Sequence, residues 1–302
     1  MRTISFSFRI GRTTVRTIII DTCEAIWRNL VKREMPKPDA AAWWRIANDF
    51  EDAWEFPNCI GAIDGKHVQI QCPPRSGSLY HNFKGFFSIV LMAVVDANYR
   101  FICVDIGDLG SNSDGGIFSN SKFGKAFLEH KLDIPSGRTL PGMTPAYRIP
   151  LVLIGDEAFP SRPDLLRPYP GRKDFKLTPQ QEEYNARLSR ARRIVENAFG
   201  IMTQRFRIYQ RRIQLFPPTA VKIVQATVVL HNFLTDVDLE LHDLYKHLDR
   251  NPHLNTQQKC GNRHLGLVDM PNMRGEHPGH EALRVRHAFT AFFNSRIGQL
   301  PF

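Results

Sequence analysis

Apolar residues in the middle of the chain form a close series of runs that are rich in β-branched side chains. The runs cover residues 59–63 and 67–71, on either side of Asp64-Gly65, and then residues 86–95 and 100–106. β-Branched and aromatic residues favour strands, and a run that is apolar at almost every position is typical of a strand buried on both faces. A short apolar run at 151–154 predicts a further buried strand.

Helical spacing of apolar residues frames these strands. Apolar positions three and four residues apart predict helices over residues 40–52, 114–129, 179–206 and 220–234. Prolines punctuate the second half of the chain, because they cannot continue a strand or a helix interior. One proline-rich loop leads into the helix at 179–206, and Pro217-Pro218 separates that helix from the next.

Residues 1–32 show two helical segments joined by a turn at Gly11, with the second segment starting near Thr13. This pattern fits two structures: a partial helix-turn-helix that contacts DNA, or a helical arm packed on the main domain. We therefore predict a helical N-terminal segment over 1–50 and an α/β domain over 51–236. Residues 237–302 are rich in His, Asn, Gly and Pro, which predicts an irregular C-terminal tail.

Composition narrows the functional classes. No run of eighteen apolar residues occurs, so the sequence predicts no membrane-spanning helix. The five cysteines include no Cys-x-x-Cys pair, which favours a reducing compartment over a disulfide framework or a cysteine-rich zinc module. Forty Lys and Arg against thirty Asp and Glu leave a net charge of +10, which favours a polyanionic partner such as nucleic acid.

Positive charge is concentrated around one acidic residue, Glu196. The surrounding segment, 184–212, carries Arg187, Arg190, Arg192, Arg193, Arg205, Arg207, Arg211 and Arg212. A basic stretch of this length suits a long anionic ligand better than a small one, which argues against a phosphoesterase acting on small molecules.

Three acidic residues are candidates for metal chemistry. Asp64 and Asp156 end or follow apolar strand-like runs, and Glu196 lies on the arginine-rich helix. A carboxylate at the end of a buried strand is costly unless a charge neutralises it, and a divalent cation does so where several carboxylates converge. Each also has an ordinary structural role available: a hairpin turn at Asp64-Gly65, a turn cap at Asp156, and an i,i+4 ion pair of Glu196 with Arg192.

Three consecutive strands, a helix, a fourth strand and further helices form the element order of an RNase H-like domain. Within this order, seven segments resemble those of PIF/Harbinger-type DDE transposases and of the Harbinger transposase-derived nuclease family. They are residues 56–67, 80–88, 94–101, 110–114, 155–159, 192–200 and 230–234. The resemblance extends over residues 8–234 in consistent order.

The resemblance implies an RNase H-like mixed sheet flanked by helices, in which strand ends and a following helix bring three acids together. Matched position by position, Asp64, Asp156 and Glu196 become the catalytic residues and the ligands of Mg²⁺ or Mn²⁺. Asp114 follows Ser113 at a predicted helix start, so capping is its default role and it ranks below these three. Candidate DNA contacts are Lys66, Lys84, Arg192 and Arg193.

The function implied is a divalent-metal-dependent DNA endonuclease in the nucleus. Its implied partners are DNA and a separate Myb-like DNA-binding protein. The alternative is a domesticated DNA-binding or scaffold protein that keeps the fold without cleavage. Members of this family carry more helix before the segment resembling residues 8–27, so the resemblance also implies a shortened N-terminus and weaker independent DNA binding.

Overall fold

The computed structural model describes residues 2–143, 148–171, 176–237, 267–269 and 279–299. In chain order the helices are α1 (Arg2–Phe8), α2 (Arg12–Glu34), α3 (Ala40–Trp54), α4 (Asp114–Asn120), α5 (Lys122–Leu128), α6 (Pro179–Arg205), α7 (Pro217–Val237) and α8 (His280–Phe293). The strands are β1 (Cys59–Gln69), β2 (Ser88–Val95), β3 (Phe101–Leu109), β4 (Val152–Ile154), β5 (Leu165–Leu166) and β6 (Leu267–Asp269).

The strands form one mixed sheet with the order β3-β2-β1-β4-β5. Strands β1, β2 and β3 pair antiparallel, whereas β4 and β5 run parallel to β1. Strand β6 pairs antiparallel with β1 beyond the point where β4 ends. The predicted α/β architecture, a mixed sheet flanked by helices, is confirmed.

Both faces of the sheet are buried, which explains why β1, β2 and β4 are apolar at nearly every position. One face packs against α6, α7 and α8, and the other packs against α4 and α5, while α3 contributes to both cores. Burial of apolar surface on both sides stabilises these strands by about 25 cal/mol per Å² removed from water. Residues 86–95, whose apolar run is typical of a strand buried on both faces, contain β2, which lies between β3 and β1.

Helix α6 starts where its sequence predicts. Thr178 and Gln181 form a capping box in which each side chain accepts from the other residue's backbone N–H, and Pro179 occupies the first turn. Its buried face contains Ile194, Val195 and Ala198, which lie against the sheet. The helix therefore holds Glu196 at a fixed height above the strands.

The N-terminal helices pack on the main domain. Val15 of α2 is buried, Lys222 of α7 forms an ion pair with Glu24 of α2, and Asn232 of α7 donates to the backbone oxygen of Glu34. The helical-arm alternative therefore describes the observed packing of α2. Contact of these helices with DNA stays a prediction.

The pair His231-Asn232 is a hydrogen-bonded part of the core, as an apolar helix predicts. His231 Nε2 lies 2.8 Å from the Tyr99 oxygen, and burial lowers the pKa of His231 to about 4. Asn232 accepts from the N–H of Phe101 and donates to its oxygen, both at 2.9 Å. The amide thereby binds the backbone at the start of β3 as a neighbouring strand would.

One alternative is excluded by the structure, and one prediction is wrong in detail. Residues 59–69 form one continuous strand, so Asp64-Gly65 is not a hairpin turn. Its backbone pairs with β2 in the register Asp64↔Ala93, and that ladder outweighs the local turn preference. The helix predicted over 114–129 is two helices, because Ser121 ends α4 and caps α5 through Gly124 N.

The prediction of an irregular tail over 237–302 is wrong for residues 280–293. Phe289 and Phe293 of α8 pack against Phe56. Their ring centroids lie 5.4 Å and 5.0 Å, respectively, from the ring centroid of Phe56. Apolar positions at helical spacing, Ala282, Val285, Phe289 and Phe292, make this face. Residues 238–266 and 270–278 of that tail lie outside the described residues, and the three-part division of the chain stays a prediction.

Within the described ranges, no helix combines the length and the apolar character needed to cross a bilayer.

Candidate metal centre

Asp64 lies in the middle of β1, where the neighbouring strands change. Strand β4 pairs with β1 as far as Ala62, and β6 pairs with it from Lys66 onward, so Asp64 sits between the two pairings. Its residue surface is 4% exposed. Strand pairing on both sides of this position fixes the carboxylate at a buried site, where an ionised group requires a compensating charge.

Asp156 begins a tight turn after β4. Its Oδ1 accepts from the N–H of Ala158 at 2.9 Å, so the turn-capping role considered for it is observed. Arg167, one residue beyond β5, donates to the oxygens of Glu157 and Phe159 at 3.4 Å and 3.3 Å. These contacts hold the turn, and with it the Asp156 side chain, at the carboxyl end of the parallel strands.

Asp114 occupies the first turn of α4, and the helix cap is Ser113, whose hydroxyl accepts from Gly116 N. The capping role expected for Asp114 is therefore wrong. Gly115 brings this turn close to the Asp156 turn, since a Cβ at Gly115 would lie 2.8 Å from the Ala158 oxygen. The absent side chain lets α4 place the fully buried Asp114 beside the strand ends.

Asp64, Asp114 and Asp156 form a carboxylate cluster. One oxygen from each lies within 4.8 Å of the others. A divalent cation with oxygen ligands at about 2.0–2.6 Å spans such separations, and carboxylate oxygens are the ligands that Mg²⁺ and Mn²⁺ prefer. The donor set and its spacing therefore fit a hard divalent cation.

Glu196 lies at the margin of this cluster and is not one of its three members in the part of the chain that the structure describes. Arg192 Nη2 donates to Glu196 Oε1 in an i,i+4 ion pair, and the Glu196 side chain is 38% exposed. The ion-pair role considered for Glu196 is therefore observed. The negative charge of Glu196 still acts on the cluster, because it raises the pKa of Asp156.

Arg192 provides the positive charge that faces these acids. Burial lowers the pKa of its guanidinium, but Glu196, Asp64 and Asp156 together raise it above its ordinary value. Arg192 therefore stabilises the ionised carboxylates in the protein without metal. A bound cation would take over part of this role.

Burial raises the pKa of Asp156, Glu157 and Glu196 raise it further, and the Ala158 N–H and Arg192 lower it in part. Ionised Asp156 thus costs folding free energy at neutral pH. This cost vanishes below the ordinary aspartate pKa, grows as pH rises through the raised pKa, and then stays constant.

We expect Asp156→Asn to unfold at a higher temperature than the unaltered protein in metal-free buffer at pH 7. The gain should disappear as pH falls below the ordinary aspartate range, because both states are then protonated. Differential scanning fluorimetry between pH 3.5 and 8 measures both effects. Glu157→Gln should give a smaller gain in the same direction, because its charge is a lesser cause of the raised pKa, and a pH-independent difference in Asp156→Asn would contradict that raised pKa.

We expect Arg192→Met to unfold at a lower temperature without metal and to gain more stability from Mn²⁺. The variant loses the cation that competes for the carboxylates, so its Kd for Mn²⁺ should fall about tenfold, adding about 1.4 kcal/mol of stabilisation at saturating metal. Thermal unfolding across a Mn²⁺ titration measures it. Arg193→Met is the matched control, and equal metal responses in the two variants would refute a competing role for Arg192.

The four predicted DNA contacts lie on three different elements: β1, the loop between β1 and β2, and α6. Lys66 Nζ lies 5.6 Å from the Phe199 ring centroid, on the α6 face of the sheet. Lys84 is exposed in the loop between β1 and β2, and Arg193 is half-buried on α6. Arg192 is held by Glu196 as described. DNA binding by these four side chains stays a prediction.

Asp114 is the residue that sequence reasoning ranked too low. A Ser-Asp-Gly-Gly sequence at a helix start carries the relevant signal, because two glycines after an acid allow a close approach of the helix to another segment. That signal does not identify which segment the helix will meet. The pairing of Asp114 with Asp64 and Asp156 required the tertiary structure.

Comparison with known proteins identifies the family. The model of the family described as "DDE superfamily endonuclease" matches residues 63–232, a range that includes all three carboxylates of the cluster and Glu196. This match agrees with an RNase H-like interpretation of the sheet. No solved structure matches the chain.

Curated relatives match a similar region. The chain is 31% identical over 196 residues to "Protein ALP1-like" of Arabidopsis thaliana, covering 64% of this chain and 47% of that protein. It is 24% identical over 199 residues to "Putative nuclease HARBI1" of Xenopus laevis, covering 65% and 52%. The human protein of the same name is 25% identical over 197 residues, covering 64% and 51%. The chain thus spans about half the length of the curated relatives it matches.

Proposed function

The chain belongs to the DDE superfamily endonuclease family, as its resemblance to Harbinger transposase-derived nucleases predicts, and we propose that it is a divalent-metal-dependent DNA endonuclease. The observation that carries this proposal is the cluster of Asp64, Asp114 and Asp156, whose oxygens lie within 4.8 Å of one another. Three carboxylates this close together repel one another when ionised, and a bound divalent cation would neutralise that repulsion.

Asp64, Asp114 and Asp156 would hold the cation, and Glu196 would join them when Arg192 releases it. The cation would supply Lewis-acid polarisation of a phosphodiester and activation of the attacking water or 3′-hydroxyl. The protein's contribution is orientation: β1, the Asp156 turn and α4 are each tied to the core, so the ligands keep their positions when DNA arrives. Arg192, once free of Glu196, would contact a phosphate.

DNA is the proposed substrate because the chain has a net charge of +10 and because arginines are concentrated on α6, around Glu196. Lys66, Lys84, Arg192 and Arg193 are the proposed phosphate contacts. Each phosphate contact adds about 0.9 to the slope of log affinity against log salt for duplex DNA. Four contacts would therefore produce a steep salt dependence.

Nicking of supercoiled plasmid tests the proposal. Purified protein should convert it to open circles in Mg²⁺ or Mn²⁺ and should stop when EDTA removes the metal. The absence of nicking at any metal concentration, in a preparation that binds DNA, would reject the enzyme.

A catalytically silent DNA-binding protein is the second candidate. The observation that favours it is the ion pair of Glu196 with Arg192, which withdraws the third predicted ligand from the carboxylate cluster. This candidate predicts salt-dependent DNA binding without cleavage, whereas a complete lack of DNA affinity at low salt would reject both candidates.

We also propose a cellular location and a partner protein. A nuclear location and a separate Myb-like DNA-binding partner are inferred from the family resemblance alone. Fractionation of cells expressing the full chain, with and without a Myb-like partner, tests both. Equal cytoplasmic retention in the two conditions would argue against them.

A further inference from the structure

The loop between β1 and β2, residues 70–87, has the composition of a single-strand nucleic-acid contact. It contains no Asp or Glu, it carries Arg75 and Lys84, and its aromatic residues are Tyr80, Phe83, Phe86 and Phe87. Cations interleaved with aromatic rings suit a strand whose phosphates and base faces are both accessible. We develop this observation on the basis of the proposed function, since it concerns how the DNA would be held.

Phe83 lies at the tip of this loop and is 57% exposed. It is a central residue of a tight turn, in which Gly85 N donates to the Asn82 oxygen at 3.0 Å. The Asn82 side chain also accepts from the N–H groups of Lys84 and Phe86, at 3.0 Å and 3.3 Å. An apolar ring is therefore presented to solvent by a turn whose backbone is tied by its own side chain.

The turn is connected to the strand that carries Asp64. Asn82 Nδ2 donates to Ser88 Oγ at 3.0 Å, and a 2.9 Å hydrogen bond joins Ser88 Oγ to His67 Nδ1. His67 is buried in β1, and its ring centroid lies 6.0 Å from that of Phe83. Asp64 and His67 are three positions apart on β1, about 10 Å along the strand, and their side chains lie on opposite faces of the sheet.

A second connection leads to the helix that carries Asp114. Ser111, three residues before Asp114, donates to the oxygen of Leu79 at 2.8 Å. Gly110 N donates to the Ser88 oxygen at 3.1 Å. The loop is thus attached to two of the segments that hold the carboxylate cluster, and the position of Phe83 relative to the cluster is set by hydrogen bonds.

We propose that Phe83 stacks on an unpaired base of a DNA strand that passes along this loop, while Lys84 contacts a neighbouring phosphate. Lys84 Nζ lies 5.3 Å from the Phe83 ring centroid. The ring and the ammonium group are therefore close enough to contact the base and the phosphate of one nucleotide at the same time. Bases inside a duplex do not expose their faces, so the site selects DNA that is single-stranded or frayed at this position.

Binding of the full chain to an oligonucleotide with a single-stranded overhang tests the proposal in EDTA, where cleavage does not contribute. Phe83→Ala should weaken binding by roughly 5- to 100-fold, the range expected for loss of one base–aromatic stack. Phe83→Trp should retain it. A scan that moves one abasic site along the overhang should find a position at which the unaltered protein and Phe83→Ala bind equally.

A fluorescent base provides the readout that a merely structural role would not change. With 2-aminopurine at the position found by the scan, the unaltered protein should quench its emission by stacking, and Phe83→Ala should not. The matched control is Phe233→Ala, because Phe233 is also exposed and also lies under a cation, with Arg33 Cζ 5.5 Å from its ring centroid. It sits near the start of β3, away from the loop.

Two results would overturn the stacking proposal. One is an equal loss of affinity for intact and abasic overhangs in Phe83→Ala, and the other is the same quenching in Phe83→Ala as in the unaltered protein. An unaltered protein with no affinity for DNA would instead contradict the proposed function itself. If the unaltered protein binds the overhang but nicks no plasmid, the endonuclease proposal fails. The abasic-site and quenching experiments still decide whether Phe83 stacks on a base.

Discussion

Replacing Asp64 by asparagine is expected to abolish metal-dependent nicking, with a fall in rate of at least about 1,000-fold. Asparagine keeps the shape of the side chain but removes the charge, so the cluster loses one anionic ligand at the centre of β1. Stabilisation of transition-state charge by a bound cation is worth several kcal/mol, and each 1.36 kcal/mol is a factor of ten in rate. Single-turnover nicking of plasmid at saturating Mn²⁺ measures the loss.

Comparing Asp114→Asn with Glu196→Gln separates the observed cluster from the triad predicted by resemblance. If Asp114 ligates the cation, its replacement should cost as much as that of Asp64, because both oxygens belong to the same close group. If Glu196 also ligates it, Glu196→Gln should be equally inactive. Residual activity in Glu196→Gln alone would assign it a supporting role.

The matched control for these variants is Glu157→Gln, which neutralises the acid next to Asp156 but removes none of the three cluster carboxylates. It should keep activity within a few-fold of the unaltered protein. Nicking that survives Asp64→Asn and Asp156→Asn together would mean that the activity resides elsewhere or in a contaminant. Calorimetric titration with Mn²⁺ should show the same order of effects without DNA.

Replacing Phe289 by alanine is expected to destabilise the protein by about 3–5 kcal/mol. The ring is fully buried, and it packs on Phe56 at 5.4 Å and on Phe293 at 5.9 Å. Truncating a buried phenylalanine removes its transfer free energy and leaves a cavity that the neighbouring rings fill only in part. The free energy of unfolding from urea titration, at a constant slope, measures this cost.

The control is Arg284→Ala, on the exposed side of the same helix. It should change the free energy of unfolding by less than about 0.5 kcal/mol, because the ion pair of Arg284 with Glu281 lies on the surface. A cost below about 1 kcal/mol for Phe289→Ala would show that α8 does not dock on the domain as described. Loss of nicking in Phe289→Ala would be expected only in proportion to the unfolded fraction.

Strands and helices with strong local sequence signals were predicted close to their observed bounds. The run 86–95 contains β2 because nearly every position is apolar, and α6 starts at Pro179 because a capping box satisfies its first N–H groups. Asp64 and Asp156 were also found from sequence, since acids at the ends of buried runs are rare and costly. These inferences depend on neighbours along the chain.

Features that depend on neighbours in space were not predictable in the same way. Asp64-Gly65 has a turn signal, but the ladder between β1 and β2 keeps the strand continuous. Helix α8 was missed because its apolar face is short, and it is stabilised by packing on Phe56, which lies far away in sequence. Propensity is weak compared with such tertiary burial.

The sequence by itself determined the order of β1 to β4, α6 and α7, the basic character of α6 and two members of the carboxylate cluster. Only the tertiary structure decided its third member, because Asp114 reaches Asp64 and Asp156 through the return of β3 and the close approach allowed by Gly115. It also placed Glu196 in an ion pair with Arg192, where the helical period alone left pairing and metal ligation open. Charged side chains that are distant in sequence come together only when helices and strands pack, and no single segment of the sequence determines that packing.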